Sequence, residues 1–155
     1  MIKGIIFDWG RTLYDNEKEF LFSETKDVLD YLSKKYNLAI VSLATDGNFE
    51  KRWKIIKNYD LEKYFKSILF TQDNKDKLYI ETLKKMNLNP KEIIIIDDRV
   101  IRGIAWGNKR GAKTIWIKKG KFSNELPTKV TGIPTYTITN LKDLLKLEFL
   151  QQSLS

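Results

Sequence analysis

Acidic, hydroxyl and cationic side chains stand in this chain where apolar runs end. Asp8 closes Ile5-Ile6-Phe7, Ser42 closes Leu38-Ala39-Ile40-Val41, and Asp97 with Asp98 closes the consecutive isoleucines Ile93–Ile96. Lys75 and Lys77 open a stretch of helical periodicity between the last two runs. The chain has neither histidine nor cysteine. That excludes Ser/His and Cys/His catalysis, disulfides, iron–sulfur clusters, and imidazole or thiolate zinc sites. What remains is carboxylate, hydroxyl and lysine chemistry, with a hard cation held by oxygen. Carboxylates ending neighbouring parallel strands can share Mg²⁺, and one of them can attack phosphorus as a nucleophile. A lysine beside them would neutralise a phosphate and keep the nucleophile ionised.

The elements that must position these groups are read from periodicity. Strands are expected at Ile2–Phe7, Leu38–Ser42, Ser67–Phe70, Ile93–Ile96, Lys113–Ile117 and Thr135–Ile138. Helices are expected at Phe22–Tyr36 with Ser23 as N-cap, Phe49–Asn58, Lys77–Met86, Ile101–Arg110 closed by Gly111, and Leu141–Leu150 capped by Asn140. Strands that are continuously apolar and alternate with helices imply an α/β fold, a doubly wound, mostly parallel sheet in three layers. In such sheets the ligand site lies beyond the carboxyl ends of the strands, where the acids stand. Lys118–Pro134 reads as a surface loop. One domain is expected over residues 1–150, with a frayed tail at 151–155.

Ile5-Ile6-Phe7-Asp8-Trp9-Gly10-Arg11-Thr12-Leu13-Tyr14-Asp15 resembles the first motif of the haloacid dehalogenase superfamily, an apolar strand followed by Asp-x-Asp-Gly-Thr-Leu. Val41-Ser42 resembles the second motif, Lys75 the third, and Ile95-Ile96-Asp97-Asp98 with Gly111-Ala112-Lys113-Thr114 the fourth. The likeness runs through nearly the whole chain in the same order. It implies a Rossmann-like fold and a Mg²⁺-dependent phosphatase working through an aspartyl-phosphate. Asp8 would be the nucleophile, and Ser42 would hold a phosphate oxygen. Lys75, or alternatively Lys77, would bridge phosphate and nucleophile. The cation would rest on Asp8, the Gly10 carbonyl, Asp98 and Asp97.

Three positions depart from the pattern. Gly10 replaces the second acid of the first motif, which removes general acid–base help worth about 10²–10⁴-fold. Arg11 replaces the usual glycine beside the site, where it would either grip an anionic substrate or point to solvent. The later acid of the fourth motif is missing, its expected positions holding Arg102 and Gly103, so the cation would be held less firmly. Members of the superfamily usually carry an inserted cap domain. Neither the interval from Asp8 to Ser42 nor that from Ser42 to Lys75 has room for one. An uncapped site is open to water and to large, even macromolecular, phosphorylated substrates, and specificity for a small one would need a neighbouring subunit in an oligomer.

The net charge of +8 suits an anionic partner such as a phosphate ester. Nucleic acid fits the same balance, but no run of five like charges points to it. No apolar stretch approaches the length of a membrane span, and no signal-peptide pattern is seen, so a cytoplasmic protein with no membrane partner is expected. Three functions are in competition: a phosphohydrolase slowed by Gly10, a non-catalytic protein that binds a phosphorylated ligand or partner, and a hydrolase of another bond such as C–Cl or C–P.

Overall fold

The computed structural model describes residues 1–147. In chain order the strands are β1 Gly4–Phe7, β2 Tyr14–Asp15, β3 Phe20–Leu21, β4 Asn37–Leu43, β5 Phe65–Thr71, β6 Ile93–Asp97, β7 Lys113–Ile117 and β8 Tyr136–Ile138. The α-helices are α1 Thr25–Ser33, α2 Phe49–Asn58, α3 Asp76–Met86 and α4 Ala105–Arg110. Six strands form one sheet in the order β5-β4-β1-β6-β7-β8, and every pairing in it is parallel. β1 lies between β4 and β6, so the connections diverge to either side of it. That divergence opens a crevice at its carboxyl end.

The apolar strands fill two cores because successive side chains point to opposite faces. Ile5, Phe7, Ile40, Ile94 and Ile96 pack on one face with Val28, Leu29 and Leu32 of α1 and Ile56 of α2. Ile6, Val41, Ile93 and Ile95 pack on the other with Tyr79, Leu83 and Met86 of α3 and Trp106 of α4. Both faces of the isoleucine run are therefore buried, which is why it carries no polar alternation. Trp9, Trp106 and Trp116 are all buried.

Several boundaries differ from expectation. α1 is shorter at both ends than Phe22–Tyr36. Phe20 and Leu21 are taken by the small antiparallel β2–β3 hairpin, and Tyr36 lies in the turn that leads directly into β4. Ser23 does not cap α1. The N-cap is Glu24, with no side-chain capping bond, and the Ser23 hydroxyl donates to Glu24 instead. The helix expected at Ile101–Arg110 begins as a π-helical turn, Val100–Ile104, before α4; Gly111 ends it in the left-handed conformation. The expected last helix is a 3₁₀ helix, Leu141–Lys146, with the anticipated Asn140 cap. Its expected end at Leu150 and the frayed tail at 151–155 lie outside the described residues. Between β1 and β4 the chain holds the hairpin and α1. Between β4 and β5 it holds α2 and a 3₁₀ turn, Glu62–Tyr64.

Candidate active site

The crevice gathers the acids that the apolar runs deliver. Asp8 follows β1, Ser42 lies near the end of β4, and Asp97 ends β6 with Asp98 next. One oxygen from each of Asp8, Asp97 and Asp98 lies within 4.8 Å of the others. Lys75, only 4% exposed, enters from the N-terminus of α3. Its Nζ lies 3.3 Å from Asp8 Oδ1 and donates to Asp97 Oδ2 at 2.9 Å. The Ser42 hydroxyl donates to Asp8 Oδ1 at 3.2 Å. Asp8 Oδ2 has no hydrogen-bond partner among the described residues. Lys77, the alternative lysine, is exposed on α3, and no ion pair joins it to these carboxylates.

The two adjacent aspartates have different surroundings. Asp97 Oδ2 also accepts from Gly103 N at 2.9 Å, and its Oδ1 accepts from Arg99 N at 3.1 Å. Burial alone would push the Asp97 carboxyl up. Lys75 and these backbone N–H groups outweigh it and hold the carboxyl below its ordinary range. Burial alone would likewise lower the Lys75 ammonium, but the charges of Asp8 and Asp97 outweigh it, so Lys75 stays protonated well above its ordinary range. Asp98 is pushed up to about 9, first by burial and then by the charges of Asp8 and Asp97, with Arg11 opposing. Its Oδ2 accepts from Arg11 Nε at 2.6 Å. Its Oδ1 is buried with no hydrogen-bond partner.

The π-helical turn starts just past these acids, and Asp97 accepts the Gly103 N–H, one of the first-turn donors with no partner inside the helix; such widened turns recur at functional sites. Gly103 stands at one of the expected positions of the missing later acid, and the space there is already taken. A Cβ on it would lie 2.6 Å from Asp97 Oδ2 and 2.7 Å from the Tyr79 hydroxyl. Gly10 is different. A Cβ there would meet the Asn16 side-chain amide at 3.0–3.5 Å. Asn16 of the hairpin loop thus fills the room that a longer residue at position 10 would need.

Beside Gly10 and Ser42 a cavity of about 260 Å³ opens between the hairpin and α2, lined among others by Trp9, Asn16, Asp46, Lys51 and Arg52. Its charges are largely paired internally: Arg52 donates to Asp46 at 2.8 Å, and Lys51 Nζ lies 3.5 Å from a Glu19 carboxylate oxygen.

The residues present suit a hard divalent cation. The carboxylate oxygens converge, no nitrogen or sulfur ligand competes, and Asp98 Oδ1 is a buried acceptor without a donor. Asp8, Asp97 and Asp98, all expected among the ligands, each offer an oxygen to that cluster, and both Asp97 oxygens also accept hydrogen bonds, one of them from Lys75.

Sequence reasoning did not single out Asn16, Tyr79, Phe122, Arg99 or Glu125. Asn16 sits in a hairpin too short to show periodicity. Phe122 and Glu125 belong to the loop 118–134, whose path no periodic pattern reveals. Arg11 does not point to solvent: its side chain is 14% exposed and bound to Asp98, with Nη1 3.4 Å from Asn16 Oδ1.

A parallel sheet with this strand order, bearing a buried lysine between strand-end aspartates and a serine beside them, matches one family of hydrolases. The chain belongs to the haloacid dehalogenase-like hydrolase family, whose model matches residues 7–117. It is 30% identical over 113 residues to a glyceraldehyde 3-phosphate phosphatase of Pyrococcus furiosus, covering 70% of this chain and 47% of that protein. The chain spans about half the length of the curated relatives it matches. Among solved structures, the HAD-hydrolase YfnB of Bacillus subtilis, solved bound to magnesium, superposes with a TM-score of 0.76 at 15% identity, over 94% of this chain and 97% of that one. A 2-haloacid dehalogenase of Pseudomonas syringae superposes with a TM-score of 0.75 at 15% identity, over 98% and 99%. At such identities these likenesses show the fold. No helix among the described residues is long and apolar enough to cross a membrane.

Proposed function

We propose that this protein is a divalent-cation-dependent phosphatase of small phosphate monoesters, with Asp8 as nucleophile. The observation that carries the reading is the placement of Lys75 between Asp8 and Asp97, with the Ser42 hydroxyl on the same Asp8 oxygen. That arrangement fixes Asp8 through its Oδ1, and its Oδ2 is the oxygen that forms a bond to phosphorus. The bond from phosphorus to the leaving oxygen then breaks, and that oxygen takes a proton from water, since residue 10 offers no acid. Water next attacks the phosphorus of the Asp8 acyl phosphate, releasing inorganic phosphate and the original carboxylate. Lys75 offsets phosphate charge throughout, and Ser42 donates to a phosphate oxygen. When bound by Asp8, Asp98 and the Gly10 carbonyl, Mg²⁺ would screen the repulsion between the carboxylates and the phosphate.

A small leaving group is favoured by the size of the cavity beside Ser42, the residue that donates to Asp8; that cavity suits a few carbons with hydroxyl or carbonyl groups. The named activity of the archaeal relatives fits the same class. The test is phosphate release from p-nitrophenyl phosphate and from a panel of three- and four-carbon phosphates, with Mg²⁺ and with EDTA. Turnover that needs Mg²⁺ and disappears in Asp8→Asn supports the reading. A phosphorylated ligand that raises the melting temperature without turnover would favour the non-catalytic binder that Gly10 would suit.

A further inference from the structure

We propose that Arg11 is a tethered counter-cation that pins the Asp98 carboxylate and competes with a divalent cation for it, so that cation affinity is set by the loop that holds the arginine. The inference rests on the cation-dependent reading of the site. Arg11 sits at φ 61, a left-handed conformation that non-glycine residues adopt only at a cost. Something must therefore hold it there. Its Nε binds Asp98 Oδ2 at 2.6 Å, with side-chain exposures of 14% and 1%. Its guanidinium carbon lies 4.7 Å from the centre of the Phe122 ring. The Gly120 backbone is close enough that a Cβ there would sit 3.1 Å from Arg11 Cδ.

The loop carrying Gly120 and Phe122 is itself fastened. Arg99 lies 3.7 Å from the centre of the same ring, and Glu125 accepts from Arg99 Nε at 2.7 Å and from Ile101 N at 2.8 Å. Both anchoring positions lie just past Asp97 and Asp98. The loop thus bridges the two segments that carry Asp98 and Arg11.

Charge counting gives the consequence. Asp8, Asp97 and Asp98 face Lys75 and Arg11, so two fixed cations already stand among the acids that a divalent ion would use. A divalent ion entering beside a guanidinium in this buried setting meets like charge, and it finds Asp98 Oδ2 already engaged. It must use the free Oδ1 against that repulsion or displace the arginine. Neutralising residue 11 should then tighten cation binding by about 10-fold or more, from the like-charge term at a few ångströms in a partly screened site.

The measurement is Mg²⁺ binding by calorimetry and by shift in melting temperature, without substrate, on wild type, Arg11→Gly, Arg11→Gln, Phe122→Ala and Asp98→Asn. Both Arg11 variants should bind Mg²⁺ at least about 10-fold more tightly than wild type. Phe122→Ala, which keeps the arginine but loosens it, should fall between. Asp98→Asn should lose binding. A merely structural arginine would predict weaker binding when removed. Equal or weaker binding in both Arg11 variants, with binding still lost in Asp98→Asn, overturns the inference and leaves the cation reading intact. No Mg²⁺ binding by any protein in the set overturns both.

Discussion

The two sides of the crevice are built on different terms. On the side of β1, β4 and α3, Asp8, Ser42, Lys75 and Asp97 form one buried network in which each charge meets an opposite charge or a backbone donor. On the side of Asp98, the carboxylate is held by an arginine in a left-handed conformation and covered by the loop 118–134. The first side sits on strand and helix ends and is fixed by the sheet. The second depends on contacts between distant, irregular segments. The contrast separates what the fold imposes on a site of this family from what this chain adds to it.

The largest expected effect breaks the first side. Asp8→Asn should lower phosphate-ester turnover by at least about 10³-fold, as loss of a nucleophile does, with circular dichroism and melting temperature showing the fold retained. Lys75→Met removes the cation shared by two buried carboxylates. It should cost about 3–5 kcal/mol of stability in urea denaturation, roughly 10 °C in melting temperature for a domain of this size. The matching change on the other side, Arg11→Gly, should cost much less. Glycine adopts the conformation of residue 11 freely, so the loss of one ion pair is offset by relief of the left-handed backbone.

The next two changes sharpen the comparison. Gly10→Asp should raise turnover of alkyl phosphates by up to roughly 10²-fold by restoring a proton donor, with a smaller gain on p-nitrophenyl phosphate. The side chain of Asn16 must give way first, so Gly10→Asp combined with Asn16→Ala should gain more than Gly10→Asp alone. Gly103→Ala should cost about 1–3 kcal/mol in urea denaturation, from the Cβ forced against Asp97 and Tyr79. It should also lower activity in proportion to how far Asp97 lets Lys75 move.

The same division explains what could be read from the sequence. The parallel sheet, both layers of helices, and the positions of Asp8, Ser42, Lys75, Asp97 and Asp98 were legible, because apolar runs and helical periodicity carry the strand ends with them. The choice between Lys75 and Lys77 was not legible from spacing, since only the geometry of the α3 N-terminus decides which residue turns inward. The β2–β3 hairpin escaped because two-residue strands have no period. The π-helical turn escaped because a single widened turn leaves the apolar periodicity of the helix almost unchanged. The pinning of Arg11 escaped because its partners, Asp98 and Phe122, are far away in the chain and meet it only once the sheet and loop are folded.

Attack by Asp8 on phosphorus is read most directly by mass spectrometry of enzyme mixed with a small phosphate monoester and Mg²⁺, then quenched in acid within one turnover. The expected result is a phosphoryl group on the peptide containing Asp8, absent from Asp8→Asn. Steady turnover with no phosphoryl group on that peptide at any quench time, or with one on another residue, would contradict it.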